Sequence, residues 1–181
     1  MAVRGFEVVS KYQEAGLTVP ERSTHNAAGY DFKAAQDMVL PSLVNQPFLK
    51  ELNIFSLGKI SALLEKPEVR AALKPTLIPT GIKAYMQPGE FLQLVARSSA
   101  PIKKQIMMPN GVGIVDADYY NNEGNEGEIF FQYLNFGLED VHIKKGERIG
   151  QGVFMPYLLA DQDEASEKTT RVGGFGSTGE A

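Results

Sequence analysis

The sequence predicts an all-β domain, a sandwich or barrel, that carries one small inserted helical segment. Short runs rich in β-branched and aromatic residues dominate it, the composition that suits a pleated, half-buried surface. Glycine, proline and asparagine punctuate these runs at spacings of roughly ten residues, the cadence of a many-stranded β domain. Only one stretch turns to helical spacing.

Strands are expected at residues 6–9, 38–40, 81–86, 91–96, 106–108, 113–115, 129–134, 141–143 and 152–155, with Asp31 at the start of a further one. Turn signals such as Gln87-Pro88-Gly89-Glu90 and Lys144-Lys145-Gly146-Glu147 separate several of them. From about 47 to 73 the pattern is helical: Leu57, Ile60, Leu63 and Leu64 recur at three- and four-residue spacing, and Val69, Ala72 and Leu73 follow Pro67. Two short helices fit this best, with Pro47 and Pro67 in first-turn positions where a missing N–H costs nothing. Strands flank the stretch on both sides and it is too small to hold a core alone, so residues 43–74 read as an insertion into a single domain spanning 1–181. From about 160 the chain is polar and acidic, then glycine-rich: Arg171-Val172-Gly173-Gly174-Phe175-Gly176-Ser177-Thr178-Gly179. Such a segment forms neither helix nor strand by itself, and a mobile arm over 160–181 that orders on a ligand is expected.

Composition narrows the function. The chain of 181 residues, 43% apolar, has material for one well-filled core. Eighteen basic and 22 acidic side chains give a formal charge of -4, without the broad basic footprint of a polymeric nucleic-acid binder. With no cysteine, disulfides, thiolate zinc sites and cysteine nucleophiles are excluded. Two histidines far apart, His25 and His142, argue against a histidine metal cage. No apolar run approaches the ~20 residues of a membrane span, and the first residues alternate too soon with charge for a secretory signal. A reducing, cytoplasmic setting fits.

Five segments carry chemistry. In the glycine-rich arm, backbone N–H groups, the hydroxyls of Ser177 and Thr178 and the Arg171 guanidinium suit phosphate, and Phe175 offers a flat face to a base; a soluble glycine-rich tail has the same composition. Arg97-Ser98-Ser99 sets an arginine fork and two hydroxyls at a strand end, although ordinary turn residues look alike. In the run 110–119, glycines and an apolar strand lead into Asp116 and Asp118, which would share a face of a regular strand, so either could act as a base. Asp31, among small residues in Ala28-Gly29-Tyr30-Asp31-Phe32-Lys33-Ala34-Ala35, could touch magnesium through water or merely form a turn. In Glu147-Arg148-Ile149-Gly150-Gln151, Arg148 reads first as a structural ion-pair partner.

Taken in chain order the five segments resemble the five motifs of the trimeric dUTPase (dUTP diphosphatase) family: AGYDFKAA, ARSS, NGVGIVDADY, ERIGQ and GGFGSTG. The resemblance covers nearly the whole chain apart from the helical stretch. It implies a distorted jelly-roll or β-barrel assembled as a homotrimer, with Mg2+-dependent conversion of dUTP to dUMP and pyrophosphate. Asp116 matches the aspartate that activates the attacking water, and Tyr119 the tyrosine packed on deoxyribose. Asn110, with the following hairpin at Gly113, matches the uracil reader. Arg97, Ser98, Ser99 and Gln151 match phosphate contacts, and Asp31 the holder of magnesium-bound water. Arg171, Phe175, Gly176, Ser177 and Thr178 match the arm that caps a neighbouring subunit's site. These pieces are expected to converge, with Asp31, Arg97 and Asp116 lining one cavity. Departures are the insertion, which offers a surface to a protein partner, an enlarged loop after the third motif, and Val172 where a small residue is usual. Two alternatives accompany this reading. A dCTP deaminase shares the core and an Arg-Ser-Ser segment, but it uses a glutamate near Gln132; a non-catalytic regulatory protein would present the insertion to its partner.

Overall fold

A computed structural model describes residues 2–46 and 65–163. These fold as an all-β, jelly-roll-like protein with two short α-helices, α1 (Pro67–Ala72) and α2 (Ser99–Lys104). The strands are β1 (Gly5–Val8), β2 (Tyr30–Lys33), β3 (Met38–Leu40), β4 (Thr76–Pro79), β5 (Ile82–Tyr85) and β6 (Glu90–Ala96). They continue with β7 (Ile106–Met107), β8 (Val112–Asp116), β9 (Phe130–Asn135), β10 (Val141–Ile143) and β11 (Arg148–Pro156).

The central sheet has the order β2-β11-β6-β8, and β4-β9-β7 forms a second sheet; β1-β5 and β3-β10 are two-stranded. Among the described residues every pairing between these strands is antiparallel. Inward residues from the sheets meet in one core, where Phe32, Leu40, Ile78, Leu92 and Phe131 are fully buried. The Phe32 and Phe131 rings lie 5.6 Å apart, tilted, and Phe6 stands edge-on to Phe32 at 5.4 Å. The sequence of β11 allows this closeness. A Cβ at Gly150 would lie 2.0 Å from the Phe131 ring, so only glycine lets the backbone pass there. The buried Tyr133 hydroxyl donates to the Ile149 carbonyl at 2.6 Å, and burial pushes its pKa up to about 12.

The structure departs from the sequence reading in four places. β4 was not expected, because Pro75 and Pro79 bracket it; it pairs only with β9, and an edge strand tolerates proline. The segment after Arg97 is the helix α2 and not a turn, with Pro101 in its first turn. Residues Ser10–Ala15 form a 3₁₀ turn. β8 ends at Asp116, and Ala117–Tyr119 is a 3₁₀ turn, so Asp116 and Asp118 do not share a strand face. Of the expected helix pair, the second is α1, which begins at Pro67 and buries Val69 completely; the first lies outside the described residues, as does the arm from 164 onward.

Candidate active site

The third motif builds one half of the candidate site. β8 pairs with β6 so that Asp116 lies opposite Phe91, at the end of the ladder. The chain then tightens into its 3₁₀ turn and carries Tyr119 into the protein, where it is 8% exposed. Asn110, Gly113, Asp116 and Tyr119 line a cavity of about 220 Å³ together with Gln132 and the apolar walls of Leu94 and Ile129. An apolar cleft with a few amides and one carboxylate at its edge suits a flat heterocycle with a sugar attached. It is smaller than the about 300–1,000 Å³ of pockets for drug-sized ligands, so a longer ligand must extend beyond it.

The second half is polar and centred on Asp31. Its buried carboxylate accepts from Gln151 Nε2 at 3.0 Å, from Arg148 Nη1 at 3.0 Å and from the Ser23 hydroxyl at 2.5 Å. Burial alone would raise the Asp31 pKa, but the hydrogen bonds from Ser23, Gln151 and Arg148, together with the Arg148 charge, outweigh it and hold the carboxyl below its ordinary range. Arg97 joins this group through a hydrogen bond from its Nη1 to the Arg148 carbonyl at 3.4 Å. Arg97 and Ser99 line a separate cavity of about 160 Å³ with Lys103, Lys104 and Arg148. Ser98 is exposed at the start of α2, where it makes no capping hydrogen bond.

Within one chain the two halves do not meet, contrary to the expected convergence. Asp116 and Arg97 line different cavities, and Asp31 lines neither. Register explains the separation. Across the central sheet Asp31 is aligned with Gln151, Val95 and Val112, whereas Asp116 is aligned with Phe91, four residues along β6 and on the outermost strand. At ordinary strand spacings that is roughly 13 Å along the sheet and about 14 Å across it.

Two parts of the arrangement were missed in the sequence. Ser23 precedes β2 in an irregular segment held by a bridge between Glu21 and Asp31, and nothing local signals its role. Asn125, in the loop after Tyr119, donates from its Nδ2 to the Tyr119 hydroxyl at 2.7 Å; a cluster of asparagine and glycine was the available signal. Arg171, Phe175, Gly176, Ser177 and Thr178 lie outside the described residues.

A family model described as dUTPase matches residues 63–179. The chain belongs to the dUTPase family. A deoxyuridine 5'-triphosphate nucleotidohydrolase from Lactococcus lactis subsp. lactis is 49% identical over 179 residues, 99% of each chain. One from Treponema denticola is 32% identical, covering 96% of this chain and 99% of its own. The crystal structure of dUTPase from Streptococcus mutans superposes with a TM-score of 0.67 at 40% identity, over 87% of this chain and 98% of that one. A Staphylococcus bacteriophage 80alpha dUTPase shares the fold at 20% identity, with a TM-score of 0.60 over 99% and 100% of the two chains. The dUTPase match to the Lactococcus relative runs through the segment 43–74, so that stretch is not peculiar to this chain.

Proposed function

We propose that this chain hydrolyses dUTP to dUMP and pyrophosphate; its relatives are named deoxyuridine 5'-triphosphate nucleotidohydrolases. The observation that carries the reading is the placement of Asp116, Tyr119 and Asn110 around one cavity. Uracil lies against Asn110 and the β8 backbone at Gly113, whose fixed donors and acceptors cytosine would leave unpaired. Deoxyribose packs on the Tyr119 ring, which leaves no room for a 2'-hydroxyl. The Asp116 carboxylate takes a proton from a water whose oxygen attacks the α-phosphorus in line. The bond from that phosphorus to the bridging oxygen breaks, and pyrophosphate leaves with the electron pair.

The polar half receives the phosphates: Arg97, Ser98, Ser99 and Gln151 contact them, and Asp31 fixes Gln151 from below. Because the halves stand apart in one chain, neighbouring copies complete each site in a homotrimer. The arm carrying Arg171, Phe175, Gly176, Ser177 and Thr178 then closes over a neighbour's pocket and excludes bulk water. The whole chain acts as one domain, in the cytoplasm; among the described residues no helix is long and apolar enough to cross a membrane.

Mg2+ fits this arrangement as a companion of the substrate. Among the described residues no three acidic or histidine groups gather to hold a metal, so the phosphates themselves would supply direct ligands. A carboxylate offers about four acceptor positions, and Asp31 has three donors on it, which leaves room for one metal-bound water. When bound, Mg2+ neutralises phosphate charge.

Gln132, which lines the same cavity, is a neutral amide and cannot serve as the acid/base of a deaminase. Incubation with dUTP and Mg2+ tests the function: equal amounts of dUMP and pyrophosphate are expected, and ammonia release or no turnover would overturn it.

A further inference from the structure

Tyr119 is held at both ends by the loop that follows it. Its hydroxyl donates to the Glu128 carbonyl at 2.9 Å and accepts from Asn125 Nδ2 at 2.7 Å. Its own carbonyl accepts from Asn122 Nδ2 at 2.8 Å, and that same nitrogen donates to Asn125 Oδ1 at 2.8 Å. The two asparagines therefore form one bridge from the backbone of Tyr119 to its phenol. Backbone amides lock the bridge: Gly124 and Asn125 donate to Asn122 Oδ1 at 3.0 and 3.1 Å, and Gly127 donates to Asn125 Oδ1 at 3.1 Å. Gly127 has φ +81°, and a Cβ there would meet the Tyr119 carbonyl oxygen at 2.7 Å, so glycine is required for the loop to fold back so closely.

The loop is in turn fixed to the body. The nearly buried Lys83 on β5 donates to Asn121 Oδ1 and Glu126 Oε1, each at 2.7 Å, and the backbone N–H of Ser10 donates to Glu126 Oε2 at 2.9 Å. Glu128 is buried and accepts from the Gly81 N–H at 3.2 Å. Burial opposes charge on Lys83, but the hydrogen bond and charge of Glu126 outweigh it, so the cation persists.

We propose that Asn122 and Asn125 are positioning residues that set discrimination against ribonucleotides by fixing the Tyr119 ring, with the Lys83–Glu126 pair anchoring their loop. The proposal rests on the reading of this cavity as the base and sugar pocket. A ring whose hydroxyl and backbone are both pinned cannot slide aside for a 2'-hydroxyl. A ring held less firmly at the hydroxyl can, and the sugar preference falls.

The test compares kcat/KM for dUTP and UTP in the parent, Asn125→Ala, Tyr119→Phe and the double variant. Asn125→Ala should lower the dUTP preference by about tenfold, the order of one hydrogen bond, with kcat for dUTP changed far less. Tyr119→Phe keeps the ring but loses both hydrogen bonds of the hydroxyl, so it should lose at least as much, and the double variant should lose no more than Tyr119→Phe alone. An unchanged preference in Asn125→Ala, or losses that multiply in the double variant, would overturn the proposal. Amide hydrogen exchange over 119–128 gives a readout that needs no turnover: Asn125→Ala should lose protection at Gly127 while the sheets keep theirs. Unaltered exchange there would also overturn it. A parent that does not hydrolyse dUTP would refute the function reading instead, and the exchange result would still judge the clamp.

Discussion

Asp31 and Arg148 form an ion pair at 3.0 Å in which the acid side chain is 8% exposed and the base 46%. The asymmetry shows which partner depends on the other. Arg148 can be hydrated when its partner is removed, whereas Asp31 relies on Arg148, Gln151 and Ser23 to stay charged in a buried place. The group that gains most from the cluster is therefore the carboxylate.

A depressed folded-state pKa makes Asp31 a source of stability above the ordinary carboxylate range, lost as pH falls through the folded value. Asp31→Asn should cost about 1–3 kcal/mol at neutral pH, the range for leaving buried hydrogen-bonding groups without their partner. It should also flatten the acid dependence below about pH 4. Urea midpoints of parent and variant at neutral and acid pH check both; parallel curves at all pH values would show that Asp31 is not held ionised.

Asp116→Asn keeps the size of the side chain and removes its basicity. Turnover of dUTP should fall by about 10²–10⁴-fold, the usual contribution of a positioned base, while a non-hydrolysable dUTP analogue still binds. Calorimetric titration beside steady-state kinetics separates the two effects, and near-normal turnover would remove Asp116 from the base role.

Gly150 passes the Phe131 ring at a distance no Cβ can share. Gly150→Ala should therefore cost about 3 kcal/mol or more, at the upper end of overpacking penalties. Thermal unfolding measures it; a stability close to the parent would mean that β11 shifts away from the core at little cost.

Much of the β pattern was legible because strand chemistry is local: the runs at 38–40, 91–96 and 141–143 need only their own side chains to declare themselves. β4 hid behind two prolines that its edge position tolerates, and α2 hid behind a serine-proline run that reads as a turn. Asp116, Tyr119, Asn110 and Gly113 were legible as one unit because they sit within one short run of chain, the turn before β8, β8 itself and the 3₁₀ turn after it. Ser23 and Lys83 were not, because their partners lie 8 residues away across an irregular segment and 43 residues away on a loop. The distance between Asp31 and Asp116 was equally hidden: motif order says nothing of register, and register places them at opposite corners of the central sheet.

That separation leads to the most direct test. Asp116→Asn and Arg97→Ala proteins, each nearly inactive alone, are unfolded together, reassembled and assayed for dUMP release from dUTP. If each site draws Asp116 from one chain and Arg97 from its neighbour in a closed ring of three, every mixed trimer regains about one functional site in three. Reassembled mixtures that stay as inactive as the two separate variants would contradict a site shared between chains.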